Sequence, residues 1–477
     1  MKFYFEAEKF LGPYKGENGG SLQSRIFNDK KLTSSPKHIF AVVHSTLKYK
    51  EYIEYVIRKS KIKQSIKVSN NLLLLLVHDL LFSPRGRIEL GKHPIKDSFL
   101  KHKTRLNAEF TKLKLKYKAK NTEDLPTKES DEDETPVRWF RVNTLKMPPE
   151  DFLKSPLYLS LKPIERISEL KSTGYIYKDQ HIPNLFGVHL KEKITASQEY
   201  IKGQIIIQDR GSCFPAHILN SDPNYVHSVV IDACAAPGNK TTHVASYLPL
   251  KDDSVVYAFE RDARRFDVLK SMSLKATGKS KKSLIQAIHS DFTTSRPSDF
   301  AAVTGLIVDP SCSGSGIFGR ALEDAQQEEA KHELDTERLN RLARFQFKIM
   351  KHALLFPSAR RVVYSTCSVH LHENERVVVD LLMDPDVKSQ GWSLGDRSSV
   401  LPLWPRRGWP EEFTAVNDNR GPEELAGGCV RAMPKEDGGI GFFAACFIRD
   451  HVDEGLKSRE ESSESAYNES EEWTGFE

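Results

Sequence analysis

Two cysteines of this chain stand just beyond apolar runs, Cys312 in "GLIVDPSCSGSG" and Cys367 in "RRVVYSTCSVHLHENE". A thiol does chemistry as a thiolate, acting as a covalent nucleophile or a metal ligand. Taken singly, either cysteine is adequately explained as a small buried hydrophobe. Six cysteines in 477 residues are too sparse for a disulfide scaffold. No Cys-x-x-Cys pair or Cys/His cluster has zinc spacing, so no metal is expected. What needs explaining is the repetition: two thiols, each in a small polar turn that follows a strand-like run.

The elements that would hold them are regular between Val229 and Val369. Apolar runs recur as "VVIDAC", "VVYAFE", "LIQAIHSD", "GLIVDP" and "RRVVYST", and most are separated by helix-like segments such as "KTTHVASYL" and "RDARRFDVLKSMS". Near-continuous apolar strands alternating with helices predict an α/β fold, a parallel sheet covered on both faces. Ligands bind such sheets at the carboxyl ends of the strands. That edge is where Asp232, Glu260, Asp291, Asp309, Cys312 and Cys367 fall. Two cysteines facing one crevice from neighbouring strands are harder to dismiss than either alone.

The turn after the first strand, "DACAAPGNKTTH", is small, contains glycine and leads into a helix, so backbone can approach a ligand closely. It is neither G-x-G-x-x-G nor the phosphate loop G-x-x-x-x-G-K-[ST], which disfavours a dinucleotide. Glu260 is placed to accept hydrogen bonds from ribose hydroxyls, and Asp291 to reach an adenine amino group. A single nucleoside without phosphate machinery points to S-adenosylmethionine. The thiols then acquire a task. Carbon 5 of a pyrimidine is a poor nucleophile, and a thiolate adding to carbon 6 activates it. Such chemistry needs a thiolate, from Cys367 or Cys312, a proton donor at ring nitrogen 3, for which Asp309 is suited, and a group such as Lys240 to orient the base. One thiol suffices for addition, so the second suggests a role in release.

These stretches resemble the Sun-type RNA cytosine-5 methyltransferases. "DACAAPGNKTTH" is similar to that family's cofactor loop, "AFERDARR" to its ribose motif, "HSDF" to its adenine-side motif, and "DPSCSGSG" and "YSTCSVHLHENE" to its two cysteine motifs. "QDRGSCFPA" and "GFFAACFIR" match as well, and the similarity runs over roughly 136–450. The resemblance implies a Rossmann-like methyltransferase sheet with Cys367 as nucleophile and Cys312 assisting product release. It implies that S-adenosylmethionine is held by Cys234, Ala235, Ala236, Pro237, Gly238, Asn239, Lys240, Glu260, Arg265, Asp291 and Asp309. The chain departs from the family in Pro310-Ser311-Cys312 where Ala-Pro-Cys is usual, in Asn239 for a glycine, and in Ile440 for an aspartate. "APGNKT", "QDRGSC" and a basic helical N-terminal region are most like the branch acting on large-subunit ribosomal RNA. From that branch follow a ribosomal RNA or pre-ribosomal partner and a nucleolar location.

The rest of the chain is organised around this unit. Residues 1–120 are expected to be a basic helical RNA-binding domain, 121–135 an acidic linker, 136–205 a small α/β RNA-binding domain, 206–450 the methyltransferase domain, and 451–477 an acidic disordered tail. Within "KHKTRLNAEFTKLKLKYKAK", Leu106, Phe110, Leu113 and Tyr117 share one helical face while Lys101, Arg105, Lys112 and Lys116 fall on another. A cationic stripe beside an apolar one suits a helix packed on a core with its charges toward phosphates. In "RWFRVNTLK", Trp139, Phe140 and Arg141 are candidates for base stacking and phosphate contact, set against simple burial in that domain's core. The N-terminus "MKFYFEAEKF" lacks the apolar stretch of a signal peptide and the longest apolar run, "LLLLLV", is far too short to span a bilayer, so a soluble intracellular protein is expected, and a monomer is the working expectation. Two other readings stay open: an RNA-binding ribosome-assembly factor whose catalysis is dispensable, and a DNA cytosine methyltransferase, which the T-C-S cysteine disfavours.

Overall fold

The computed structural model describes residues 1–12, 22–29, 31–83, 85–88, 93–126, 137–222, 225–251, 253–278, 284–317 and 331–449. The expected tail at 451–477, and all but the first six residues of the expected linker, lie outside the described residues. Two compact units result, one holding the described residues of 1–126 and the other those of 137–317 and 332–449.

The first unit is helical. Ser35 caps the helix Pro36–Lys48, with proline at its first position where the missing N–H costs nothing. The "LLLLLV" run lies in the helix Asn70–Val77, started by the Ser69 hydroxyl accepting from Leu72 N, and Leu72 to Val77 are all buried. The basic helix is Lys103–Lys116, and it buries Leu106, Phe110 and Leu113. Two members of the expected stripes fall outside it. Lys101 sits in the preceding turn, and Tyr117 follows the last helical residue and is 39 % exposed. Arg105, Lys112 and Lys116 are exposed, and Lys112 pairs with Glu109 at 2.8 Å. No helix of the described residues is long and apolar enough to cross a membrane.

The second unit carries two sheets. The smaller has the order β2-β3-β4-β1-β5, with β1 Val137–Val142, β2 Lys162–Ile164, β3 Tyr175–Lys178, β4 Leu185–His189 and β5 Ile205–Ile207. The larger contains β6 Val229–Asp232, β7 Val255–Glu260, β8 Ile285–His289, β9 Gly305–Val308, β10 Arg361–Thr366, β11 Ser393–Leu394, β12 Cys429–Ala432 and β13 Phe442–Ile448. Its order is β11-β13-β10-β9-β6-β7-β8, with β12 against β13. The five central strands are parallel, as the apolar runs predict, and β13 adds an antiparallel neighbour to β10. Separate apolar clusters fill its two faces. One includes Val230, Val244, Leu269 and Ile307, the other Ile231, Leu306, Met350 and Val378.

The aromatic pair of "RWFRV" is not a stacking surface. Trp139 and Phe140 are 2 % and 0 % exposed, on opposite faces of β1. Phe140 packs with Phe152 and Phe186 inside the small domain, while the Trp139 indole donates to the Gly438 carbonyl at 2.7 Å. Arg141 does not reach a phosphate either. It is buried and donates to Gln208 Oε1 at 2.7 Å, Thr242 Oγ1 at 2.7 Å and the Asn239 carbonyl at 3.2 Å. The cause is topological: β1 is flanked by β4 and β5, Trp139 and Arg141 face a second layer, and Phe140 packs in the small domain's own core, so these three side chains are kept from water.

Candidate active site

The strand order reverses beside β6: β7 and β8 extend to one side, β9 and β10 to the other. A crevice opens at the carboxyl ends where the order reverses. Each expected residue sits at or just beyond a strand end. Asp232 and Glu260 are the last residues of β6 and β7, Asp309 follows β9, Cys367 follows β10, and Asp291 stands two residues past β8.

Cys312 and Cys367 meet. Their Sγ atoms are 2.8 Å apart, one thiol donating to the other, and both residues are half-buried. The hydrogen bond with Cys367, with burial next, holds the Cys312 thiol well above the usual thiol range. The remaining cysteines differ: Cys213, Cys429 and Cys446 are fully buried core residues, and the Cys234 amide donates to Asp232 Oδ1 at 3.3 Å.

Lys240 and Asp309 also meet, at 2.8 Å, joining the turn after β6 to the turn after β9 across the reversal point. The Ser365 hydroxyl donates to the other Asp309 oxygen at 2.7 Å. Burial alone would lower the Lys240 ammonium, but Asp309 outweighs it and holds it above its ordinary value. Asp232 is buried, accepts from the Thr241 hydroxyl at 2.6 Å, and is pushed up to about 7 by burial, with Asp309 adding to the rise.

The turn after β6 is compact. Gly238 has φ of +109°, and a Cβ there would meet Met272 and Leu269 at 3.2–3.3 Å, so both conformation and space call for glycine. Asn239 opens the helix Asn239–Ala245, and its buried Oδ1 has no hydrogen-bond partner. Arg265 binds this turn from outside, donating to the Ala236 carbonyl at 2.7 Å, with its Nε 3.5 Å from Glu260. Glu260 is buried and accepts from the Asp262 amide at 2.8 Å. Asp291 is joined to none of the others. It caps a short turn through the Thr293 amide and hydroxyl and meets Arg261 at 3.3 Å. Burial works to raise its carboxyl, but those bonds win and hold it below the usual range. Four strand spacings separate it from Cys367, about 19 Å along the edge, so the crevice is long enough for a nucleoside at one end and a reacting base at the other.

Sequence reasoning passed over four residues of this site. Glu373 lies inside the quoted "VHLHENE", is fully buried, and accepts from the Ser313 amide at 2.8 Å. Gln346, in the helix Lys331–Ala353, donates to Glu373 at 3.0 Å and to the Ser311 carbonyl at 3.1 Å. Ser365 and Ser212 flank Asp309 and Lys240, at 2.7 and 3.5 Å. Ser365 and Glu373 stand within matched motifs and were within reach; a glutamine in mid-helix carries no local signal.

A family model described as 16S rRNA methyltransferase RsmB/F matches residues 216–448. A second, described as the NOL1/NOP2/Sun domain family member 5 N-terminal domain, matches residues 37–125. The chain is 40 % identical to the fission yeast Schizosaccharomyces pombe 25S rRNA (cytosine-C(5))-methyltransferase rcm1, over 93 % of this chain and 91 % of that one. It belongs to the NOL1/NOP2/Sun family of RNA cytosine-5 methyltransferases. Identity to the Mus musculus 28S rRNA (cytosine-C(5))-methyltransferase is 34 %, over 95 % of this chain and 92 % of the mouse one. Among solved structures, PH0851 shares the fold with a TM-score of 0.54 at 20 % identity, covering 94 % of this chain and 98 % of that one. The two stretches that resemble that family's cysteine motifs are the turns that bring Cys312 and Cys367 together.

Proposed function

We propose that the chain methylates carbon 5 of a cytosine in large-subunit ribosomal RNA. It is an S-adenosylmethionine-dependent methyltransferase, and the observation that carries the covalent mechanism is the thiol pair beside the Lys240–Asp309 ion pair. The residues of the crevice suit that cofactor. Asp232, Glu260 and Asp309 put three carboxyl groups at adjoining strand ends, in keeping with a cationic sulfonium and a ribose diol, and Glu260 keeps acceptor capacity beyond its bond from Asp262. When bound, the cofactor supplies an electrophilic methyl group.

The chain's own residues do the rest. Cys367 as thiolate adds to carbon 6: the C6–S bond forms, the C5=C6 electrons shift to carbon 5, and ring nitrogen 3 takes a proton. The Lys240–Asp309 pair shares a proton at the reversal point and is the group suited to supply it. After methylation a base removes the carbon 5 proton, the C5=C6 double bond re-forms, the C6–S bond breaks to return the thiolate, and ring nitrogen 3 gives its proton back to the Lys240–Asp309 pair. Cys312, touching Cys367, assists that release. The target cytosine has to be unpaired or flipped out to enter.

RNA is further held by the helical first unit. Arg58, Lys59 and Lys116 gather within 5.7–5.8 Å of the Tyr55 ring, a cationic and aromatic face suited to an unpaired strand. We place the protein in the nucleolus as a monomer, because its substrate is made there and the chain holds both a binding unit and the reacting thiols. Transfer of labelled methyl groups to ribosomal RNA, with bisulfite sequencing after gene deletion, tests the reaction. Unchanged 5-methylcytosine in the deletion strain favours the assembly-factor reading instead.

A further inference from the structure

Two thiols in contact cannot both carry charge, because each anion disfavours the other. The turns that hold them are similar in kind, yet their charged surroundings differ. On one side lies Glu373, with no exposed surface. Its Oε1 accepts from the amide of Ser313, the residue after Cys312, at 2.8 Å, and from Gln346 at 3.0 Å, while its Oε2 is buried with no hydrogen-bond partner. The Tyr364 hydroxyl donates to the Glu373 carbonyl at 2.5 Å, so the acid is fixed in place. On the other side lies Lys240, held by Asp309 at 2.8 Å, and its ammonium acts on Cys367.

We infer that Glu373 is a positioning residue that assigns the thiolate to Cys367. A buried anion against the Cys312 turn makes Cys312 keep its proton and donate it in the 2.8 Å thiol contact, and the single negative charge falls on Cys367, on which the Lys240 ammonium acts. Cys367, Glu373, Asp309 and the Tyr364 phenol face Cys312, and the first three oppose a second negative charge there. The proton lost on activation goes from Cys367 to solvent, and no further reactant is needed. The proposal rests on Cys367 being the nucleophile and explains why it, rather than its neighbour, is ready.

Initial rates of iodoacetamide alkylation at each cysteine, read by mass spectrometry on the full-length protein between about pH 6 and pH 10, test it across the thiol range. In the wild type Cys367 should react at lower pH than Cys312. Glu373→Gln keeps an acceptor for Ser313 but removes the charge, and should raise Cys312 alkylation relative to Cys367 about tenfold near pH 8, as one unit of thiol pKa gives. Glu373→Asp should restore the wild-type ratio. Bound S-adenosylmethionine, measured by calorimetry, certifies folding. An unchanged ratio in folded Glu373→Gln, even with methylation reduced, overturns the assignment and leaves Glu373 a structural fastener. So does wild-type protein in which Cys312 reacts first, a result that needs no variant. Failure of the underlying reading shows separately, as methylation retained by Cys367→Ala.

Discussion

Lys240 and Arg141 are both cations withdrawn from water, one at the edge of the large sheet and one in the middle of the small sheet. Lys240 follows β6, where the backbone turns away and leaves an opening, and its partners are a carboxylate and a hydroxyl that themselves border the crevice. Arg141 lies inside β1, and its recorded partners are an amide, a hydroxyl and a carbonyl, with no carboxylate among them. Burial lowers the Arg141 guanidinium to about 10, whereas Asp309 lifts Lys240. A charge at a strand end is poised to act on a ligand; a charge in mid-strand with neighbours on both sides becomes a fastener. Arg141 ties the small sheet to the start of the helix Asn239–Ala245, so the two regions are coupled.

Breaking the edge has the largest effects. Cys367→Ala should lower methylation by on the order of 10⁴-fold or more and form no covalent RNA complex. Cys312→Ala should accumulate enzyme bonded to RNA, seen as a band that resists denaturing electrophoresis and vanishes on RNase treatment. The double substitution should give no band. If Cys367→Ala traps RNA and Cys312→Ala does not, the two roles are exchanged. Lys240→Met should cost about 10²–10³ in kcat with little change in the thermal midpoint.

Arg141→Met should do the opposite. Leaving Gln208 Oε1 and Thr242 Oγ1 without their donor costs about 2–4 kcal/mol of stability, since each buried orphan costs about 1–3, and urea denaturation measures it. Equal stability loss in Lys240→Met and Arg141→Met would erase the distinction between the two cations. Glu260→Ala should weaken S-adenosylmethionine binding by about 1.5–3 kcal/mol in calorimetry while leaving RNA affinity as it was. The smallest effect is expected for Trp139→Phe, which loses the hydrogen bond to Gly438 and about 1 kcal/mol of stability. A marked loss of RNA affinity in that variant would return Trp139 to the RNA surface.

The parallel core, the glycine turn after β6 and the strand-end positions of the six polar residues were legible because each is local. Apolar runs, glycine turns and polar punctuation announce a strand and its carboxyl end, and a parallel sheet gathers those ends on one edge. "RWFRVNTLK" misled because an exposed and a buried β-strand share a composition, and only the layer packed against β1 distinguishes them. Tyr117 and Lys101 fell outside their helix because helix ends are set by a few turn residues rather than by the stripe. Gln346 and Glu373 stayed hidden as partners because they are 27 residues apart and meet only through the fold.

By itself the sequence determined that two thiols, four carboxyl groups and a lysine would face one crevice, since alternation and strand direction are properties of the chain. It could not determine which thiol carries the charge. Cys312 and Cys367 end similar runs, and their local surroundings are nearly interchangeable. That choice depends on electrostatic fields acting over a few ångströms between residues far apart in the chain, Glu373 against Cys312 and Lys240 against Cys367, and such fields exist only once the tertiary structure has excluded water and brought those groups together.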